Sequence, residues 1–332
     1  MARNSLQIPM FSPQTEWTPP DELKDLSQAK QIAIDLETRD PNLTTLGSGS
    51  VRGDGEIVGI AVAVDGWQGY FPIAHEGGGN IDKKIVMNWF KDVLKTPATK
   101  IFHNAMYDVS WIRASGLQIV GKIVDTMIAG SLVNENRLRY NLDSLAREYV
   151  GMGKNEKLLF EAAKEWGVNP KKEMWRLPAM HVGEYAEQDA VATLKLWERM
   201  QQELTTQDLW DIFNVETDLF PCLVDMKFKG VRVDLEKAHK IKKDLVKEEK
   251  QYLKKIKDDT GLDVEIWAAA SIAKVFDKLK LPYDRTATGA PSFTKNFLSQ
   301  HPNETAQAIA QSREINKAHT TFIDTILEHE HN

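Results

Sequence analysis

The stretch IAIDLET, Ile32 to Thr38, sets two carboxylates, Asp35 and Glu37, into a run that otherwise reads as a buried strand. The two-residue repeat of a strand places both on one face. An unpaired carboxylate taken out of water is strongly disfavoured, or takes up a proton. Either basic partners neutralise the pair or a cation does. Two further stretches carry polar side chains four residues apart. Asn104 and Asp108, in HNAMYD, stand where a strand enters a helix and project from one side; Tyr185 and Asp189, in YAEQD, share a face within a helix. Singly, each pattern has an ordinary reading, as a helix cap or a surface pair. Together they bring four carboxylates from separate elements. Gathered at one end of a sheet, they would repel and their pKa values would rise unless divalent cations neutralised them. Oxygen-only ligands favour Mg²⁺ or Mn²⁺ over structural zinc. Two such ions about 4 Å apart stabilise the attacking and leaving oxygens of a phosphoryl displacement.

The elements around these residues predict a mixed α/β domain. KQIAIDLE reads as a first strand, and EIVGIAVAVDGWQGYFPIAH as two more joined at the hairpin signal Asp65-Gly66. Between them, LGSGSVRGDG lacks the Lys-Ser/Thr ending and the helix of a phosphate cradle, so a mobile loop is expected. IDKKIVMNWFKDVLKT has helical spacing, KIFHNA is a short strand followed by a helix, and KIVDTMIAGSLV runs from strand edge into helix. NLDSLAREYV, EKLLFEAAKEWG and HVGEYAEQDAVATLKLWERMQQEL are amphipathic helices, closing this domain near residue 205. Residues 206–332 read as helical apart from GVRVD and the turn-rich PYDRTATGAPSFT. A long Lys-rich helix begins after Asp234, a good N-cap. Its basic excess reads either as a track for a DNA backbone or as a solvated face.

The chain has 332 residues, which favours two domains. A hydrophobic content of 42% with well-mixed charge indicates a globular rather than a disordered chain. No apolar run is long enough to cross a membrane. The Pro-punctuated start reads as an extended arm over residues 1–27 without a signal-peptide core, and an intracellular protein is expected. The single cysteine, Cys222, excludes an intramolecular disulfide framework and a cysteine-rich zinc site, and is expected to be a small buried apolar side chain. A net charge of −6 argues against indiscriminate coating of nucleic acid and leaves a local groove open.

DLET, HNAMYD and YAEQD resemble the three exonuclease motifs of the DEDD superfamily, and the tyrosine of the third resembles the DEDDy branch. Their order and spacing are similar to those of the proofreading domain of family A DNA polymerases. LFPCLVDMKFKGVRVD, LKLPYDRTATGAPSFT and REINKAHTTFIDTI resemble the segments that follow, up to the first thumb helix. The resemblance spans about residues 28–328. It implies a ribonuclease H-like mixed sheet flanked by helices over residues 28–205, then a helical linker and partial thumb over 206–332. It implies a metal-dependent 3'-5' exonuclease that releases deoxynucleoside 5'-monophosphates from single-stranded or frayed DNA 3' ends. In that scheme Asp35, Glu37 and Asp189 hold the ion that carries the attacking water. Asp35 bridges to a second ion supported by Asp108, and Tyr185 and Glu37 orient the nucleophile. Tyr185 is expected to position water rather than act as a base, since free tyrosine titrates near pH 10. The resemblance implies that Thr38, His103, Asn104 and Tyr107 contact the terminal nucleotides; His103 reads equally as a histidine held by a strand-end hydrogen bond.

No palm or fingers segment is recognised before ILEHEHN, so DNA synthesis by this chain alone is not expected, and a separate palm and fingers chain is the expected partner if the division is natural. The absence of a preceding 5'-nuclease segment suits a phage-like replication enzyme, acting in the cytoplasm of a bacterial host. The alternatives are a ribonuclease of the same superfamily and a non-catalytic subunit that docks DNA or a polymerase. The post-exonuclease motifs weigh against the first, and the full set of acids against the second.

Overall fold

The computed structural model describes residues 13–153 and 155–331, so residues 1–12 of the expected arm lie outside the described residues. Strand β1 (Gln31–Arg39) is followed by two single-turn helices, α1 (Leu43–Leu46) and α2 (Gly49–Arg52), and by the hairpin β2 (Glu56–Val64) and β3 (Trp67–Pro72). Then come α3 (Lys83–Lys95), β4 (Thr99–Phe102), α4 (Ala105–Ala114), β5 (Ile123–Asp125), α5 (Thr126–Val133), α6 (Leu142–Val150) and α7 (Lys157–Glu165). Two 3₁₀ turns, Met174–Arg176 and Ala179–His181, lead into the long helix α8 (Gly183–Thr206), and α9 (Trp210–Lys229) follows. The strands form one sheet in the order β3-β2-β1-β4-β5. The first three pair antiparallel, and β1, β4 and β5 pair in parallel. This is the expected ribonuclease H-like mixed sheet flanked by helices.

Alternation along β1 and β2 divides the core in two. Ile32, Ile34, Leu36, Ile60 and Val62 point to one face and pack with Phe90, Leu94 and Ile112 from α3 and α4. Ala33, Ala61 and Ala63 point to the other, where Ala186, Ala190 and Trp197 of α8 close over them. Large side chains on one face and alanines on the other let α8 lie close against β1, β2 and β3. Asp35 and Glu37 continue the alanine row of β1, so they emerge on the α8 side.

The segment after β1 departs from the loop expected there. Arg52 donates to the carbonyl oxygens of Leu46 (2.7 Å) and Gly47 (2.5 Å) and to both oxygens of Asp54 (2.9 and 3.0 Å). The Gly49 amide donates to both oxygens of Asp40 (3.1 and 3.0 Å). One buried guanidinium thus ties the turn carbonyls together, which the glycine-rich composition concealed.

The chain divides into two compact units after Gly230. Helix α9 belongs to the first because Phe213, Thr217, Phe220 and Val224 turn one side of it inward. Cys222 lies two residues from Phe220, on another side of the helix, and is exposed rather than buried as expected. The second unit holds α10 (Leu235–Thr260), capped by Asp234 through the Lys237 amide, and α11 (Ala269–Lys278). The two-strand ribbon β6 (Asp284–Arg285) and β7 (Pro291–Ser292), then α12 (Lys295–Ser299), α13 (Glu304–Lys317), a π-helical turn at Ala318–Ile323 and α14 (Asp324–Glu328) complete it. Its core is Ile256, Ile272, Val275, Phe276, Phe293, Leu298 and Ile309.

Candidate active site

Across the sheet, Asp35 faces Ala61 and Glu37 faces Gly59, so nothing large on β2 crowds either acid. A register shift follows between Glu37 and Thr38 and re-aims the end of the strand. Over this row, α8 brings Tyr185 and Asp189, one turn apart on one side; Asp189 is buried and Tyr185 half-buried. The Tyr185 phenol is pushed far above its usual range, first by burial, then by the negative charges of Asp189, Glu37 and Asp35, and by a hydrogen bond with Asp189. The hydroxyl therefore keeps its proton and is a donor or, through its oxygen, an acceptor, not a base.

Asp108 arrives from α4. It is 4% exposed, and the Leu36 amide of β1 donates to its Oδ1 (3.0 Å). Burial, then the charge of Asp35, raises its carboxyl well above the ordinary range, while the Leu36 amide pulls the other way. Asp35 thus acts electrostatically on both Asp108 and Tyr185, and the three sequence motifs converge around it.

The entry of α4 is held by a residue the sequence analysis passed over. Asn104 adopts a left-handed conformation (φ 64°) at the helix N-terminus. The Asn104 and Met127 amides donate to Asp125 Oδ1 (3.0 and 2.8 Å), and the Ala105 amide to Oδ2 (2.8 Å). Asp125 ends β5 and caps α5, so one carboxylate joins two helix N-termini. Burial raises its pKa despite these amide donors.

Of the four expected acids, Glu37 lines a groove of about 670 Å³, while Asp35, Asp108 and Asp189 lie outside its lining. Glu37, Thr38, Asn104, Tyr107 and Tyr185 line it, as do Leu43, Arg139, Asn141 and Lys171. The Thr38 and Tyr107 hydroxyls are 2.5 Å apart, and Tyr107 also donates to Asp40 (3.4 Å), which fixes that wall. His103 is outside the lining; its Nδ1 is 2.8 Å from the Thr126 hydroxyl. Arg139 and Lys171 were not anticipated. They sit before α6 and after α7, in segments without periodicity, and no spacing rule relates them to the acids.

Among the described residues, no three His, Cys, Asp or Glu side chains form a ready metal cage. The donor chemistry nonetheless suits a hard divalent cation. The carboxylates of the motifs stand within electrostatic reach of Asp35 or Tyr185, and burial first, then the charge of Asp35, raises the carboxyl of Asp108. Mg²⁺ is bound through few carboxylates and keeps several waters, so it does not require a closed protein cage.

Residues 11–205 match the family model described as 3'-5' exonuclease, for DNA polymerase A. The DNA-directed DNA polymerase of Pseudomonas phage M6 is 33% identical over 335 residues, covering 98% of this chain and 50% of that protein. DNA polymerase I of Pseudomonas aeruginosa is 27% identical, over 92% of this chain and 34% of that one. The chain therefore spans half or less of the length of these curated relatives. Among solved structures, the POL domain of Pol1 from M. smegmatis in complex with DNA primer-template and dNTP aligns with a TM-score of 0.67 at 17% identity. That alignment covers 91% of this chain and 47% of that one, and it establishes a shared fold.

Proposed function

Because this chain belongs to the 3'-5' exonuclease family of DNA polymerase A, we propose that it shortens single-stranded or frayed DNA from the 3' end and releases deoxynucleoside 5'-monophosphates. Its role would be proofreading, and its partner the polymerising part of a family A enzyme. The observation that carries this reading is the convergence of the three motifs on Asp35, whose charge acts on both Tyr185 and Asp108.

Asp35, Glu37, Asp108 and Asp189 are the residues that would hold two divalent ions, Mg²⁺ or Mn²⁺. When bound, such ions supply a water of lowered pKa and stabilise charge on the leaving oxygen. The rest falls to the protein. Tyr185, kept protonated, donates a hydrogen bond that orients the attacking water. Water oxygen bonds to phosphorus and gives up a proton to solvent, the bond from phosphorus to the 3'-oxygen breaks, and the leaving 3'-oxygen takes up a proton from solvent. Arg139 and Lys171 offset the acidic floor and draw the phosphodiester into the groove. Thr38, Asn104 and Tyr107 face the terminal nucleotide, and the Thr38–Tyr107 contact fixes the wall against which the sugar and base rest. His103 keeps the substrate role only through the backbone it steadies, since Thr126 engages its ring. Recognition of backbone and base faces suits an unpaired strand of any sequence.

The test is incubation of the purified chain with end-labelled single-stranded DNA, and with RNA of the same sequence, with and without Mg²⁺ or Mn²⁺. Stepwise 3' shortening of DNA to mononucleotides, stopped by chelator, is expected. Intact DNA under every metal condition would overturn the reading, and preferential shortening of RNA would replace it with a ribonuclease. Among the described residues, no helix is long and apolar enough to cross a membrane.

A further inference from the structure

Under the catalytic strand lies a buried hydrogen-bonded chain that the reaction does not use directly. Tyr70, on β3, is 0% exposed. It stands in one rank with Ala61 and Asp35 across the sheet. Its ring leans over Gly59, the residue opposite Glu37; a Cβ there would lie 2.0 Å from the Tyr70 hydroxyl. That hydroxyl is 2.6 Å from His75 Nε2, and His75 Nδ1 is 3.0 Å from the Leu177 carbonyl oxygen. A carbonyl only accepts, so Nδ1 carries the proton, Nε2 is bare and Tyr70 donates to it. Burial lowers the imidazole to about 4, in keeping with this neutral form. The backbone of His75 is fixed in turn: its amide donates to Asn80 Oδ1 (2.7 Å), and Asn80 donates back to its carbonyl (2.8 Å).

Leu177 lies two residues before the turn Ala179–His181 that leads into α8. A second tie from Tyr70 reaches the same helix: its amide donates to Glu187 Oε1 (3.0 Å), which also accepts from Trp17 Nε1 (3.0 Å). Glu187 lies between Tyr185 and Asp189 in sequence. One residue of β3 therefore grips α8 both before its first turn and within the segment that carries the third motif. Two ties, one ahead of this helix and one within it, would both have to break for it to slide. A slip of one residue would move it by about 1.5 Å along its axis, and a misplacement near 1 Å can slow a positioned reaction by about 100-fold.

We propose that Tyr70, His75 and Glu187 are positioning residues that set the register of α8 against β1, and so the placement of Tyr185 and Asp189 against Asp35 and Glu37. The proposal rests on the exonuclease reading, and its test separates the two. Single-turnover cleavage at saturating DNA and Mn²⁺, thermal denaturation, and hydrogen exchange across residues 183–190 are measured for the unsubstituted chain, Tyr70→Phe, Glu187→Ala and Glu187→Gln. Tyr70→Phe and Glu187→Ala are expected to cleave about tenfold more slowly, a part of the loss a full misplacement brings. The DNA concentration at half-maximal rate, read by repeating the assay across DNA concentrations, stays unchanged and exchange in α8 rises. Glu187→Gln keeps an accepting oxygen and recovers most of the rate. Variants that melt earlier yet cleave at the unsubstituted rate when folded would reduce the network to a stabilising one and overturn the proposal, as would unchanged exchange. If the unsubstituted chain leaves DNA intact, the exonuclease reading fails, and exchange alone decides the register.

Discussion

Buried acids serve opposite ends in the two compact units. In the second unit, Glu249 is 8% exposed, and each of its carboxylate oxygens has a polar partner. His319 Nε2 lies 2.6 Å from Oε2, Asn316 donates to Oε1 (2.9 Å), and Trp267 donates to Asn316 (2.8 Å). In the first unit, Asp108 is buried beside Asp35, a like charge, and its pKa rises in consequence. A carboxylate that satisfies itself within the protein stabilises the fold. Carboxylates set against one another destabilise it until something from outside neutralises them. On the proposed function, the acid face of β1 is the site and the Glu249 cluster is scaffold.

The sharpest break of this comparison would be a site acid that behaves as scaffold. Asp189→Ala is expected to slow cleavage by about a thousandfold or more, on the scale of removing a directly acting charged group, with partial recovery at high Mn²⁺. Its melting temperature should stay near that of the unsubstituted chain, because a like charge has been removed. A large drop in melting temperature with the rate retained would reverse the assignment. Glu249→Ala should do the opposite: lower stability by about 3 kcal/mol, as when one partner of a buried pair is removed. The cleavage rate of the folded protein should be untouched, as denaturant titration and single-turnover assays would report together. Tyr185→Phe comes next, at about 100-fold in rate, near 3 kcal/mol for one oriented donor. Since all four carboxylates remain, Mn²⁺ binding by calorimetry should match the unsubstituted chain. Weakened Mn²⁺ binding would make Tyr185 part of the cation site.

Much of this contrast was legible in residue order. The two-residue repeat put Asp35 and Glu37 on one face, and the four-residue spacing of Tyr185 and Asp189 put both on one side of a helix, because each pattern lies within a single regular element. Strand and helix order followed from hydrophobic periodicity for the same reason. What joins distant segments was hidden. Asp125 reads as an ordinary helix cap until Asn104 and Ala105 are seen to share it. Arg139 and Lys171 sit in connecting segments whose path only the fold decides. The glycine-rich stretch after β1 hid the Arg52 tie, and Cys222 looked apolar and buried because α9 shows apolar residues on more than one side. Trp17, read as part of an extended arm, packs on α8 at Gly183, where a Cβ would lie 2.0 Å from its ring.

The smallest expected effect refines the comparison through two buried histidines. His319 faces a carboxylate, whereas His75 faces only the Tyr70 hydroxyl and the Leu177 carbonyl, with no acid to welcome a proton. Burial holds His75 at about 4, below the ordinary 6.5. Above pH 6.5 neither the folded nor the unfolded chain protonates this ring, and it contributes nothing to the pH dependence. As pH falls below 6.5 the unfolded chain takes up a proton that the folded chain refuses, so stability declines until about pH 4, where the folded ring also protonates. Between pH 7.5 and 5.5 the loss from this one group is about 1 kcal/mol, on the scale of one pKa unit. His75→Gln lacks the titrating ring. It should be less stable than the unsubstituted chain at pH 7.5, because Tyr70 loses its acceptor, but its decline toward pH 5.5 should be shallower by that amount. Denaturant titrations of both proteins at the two pH values give the comparison directly. Parallel declines would mean that His75 accepts a proton in the folded state, and that the buried chain from Tyr70 to Leu177 tolerates a charge.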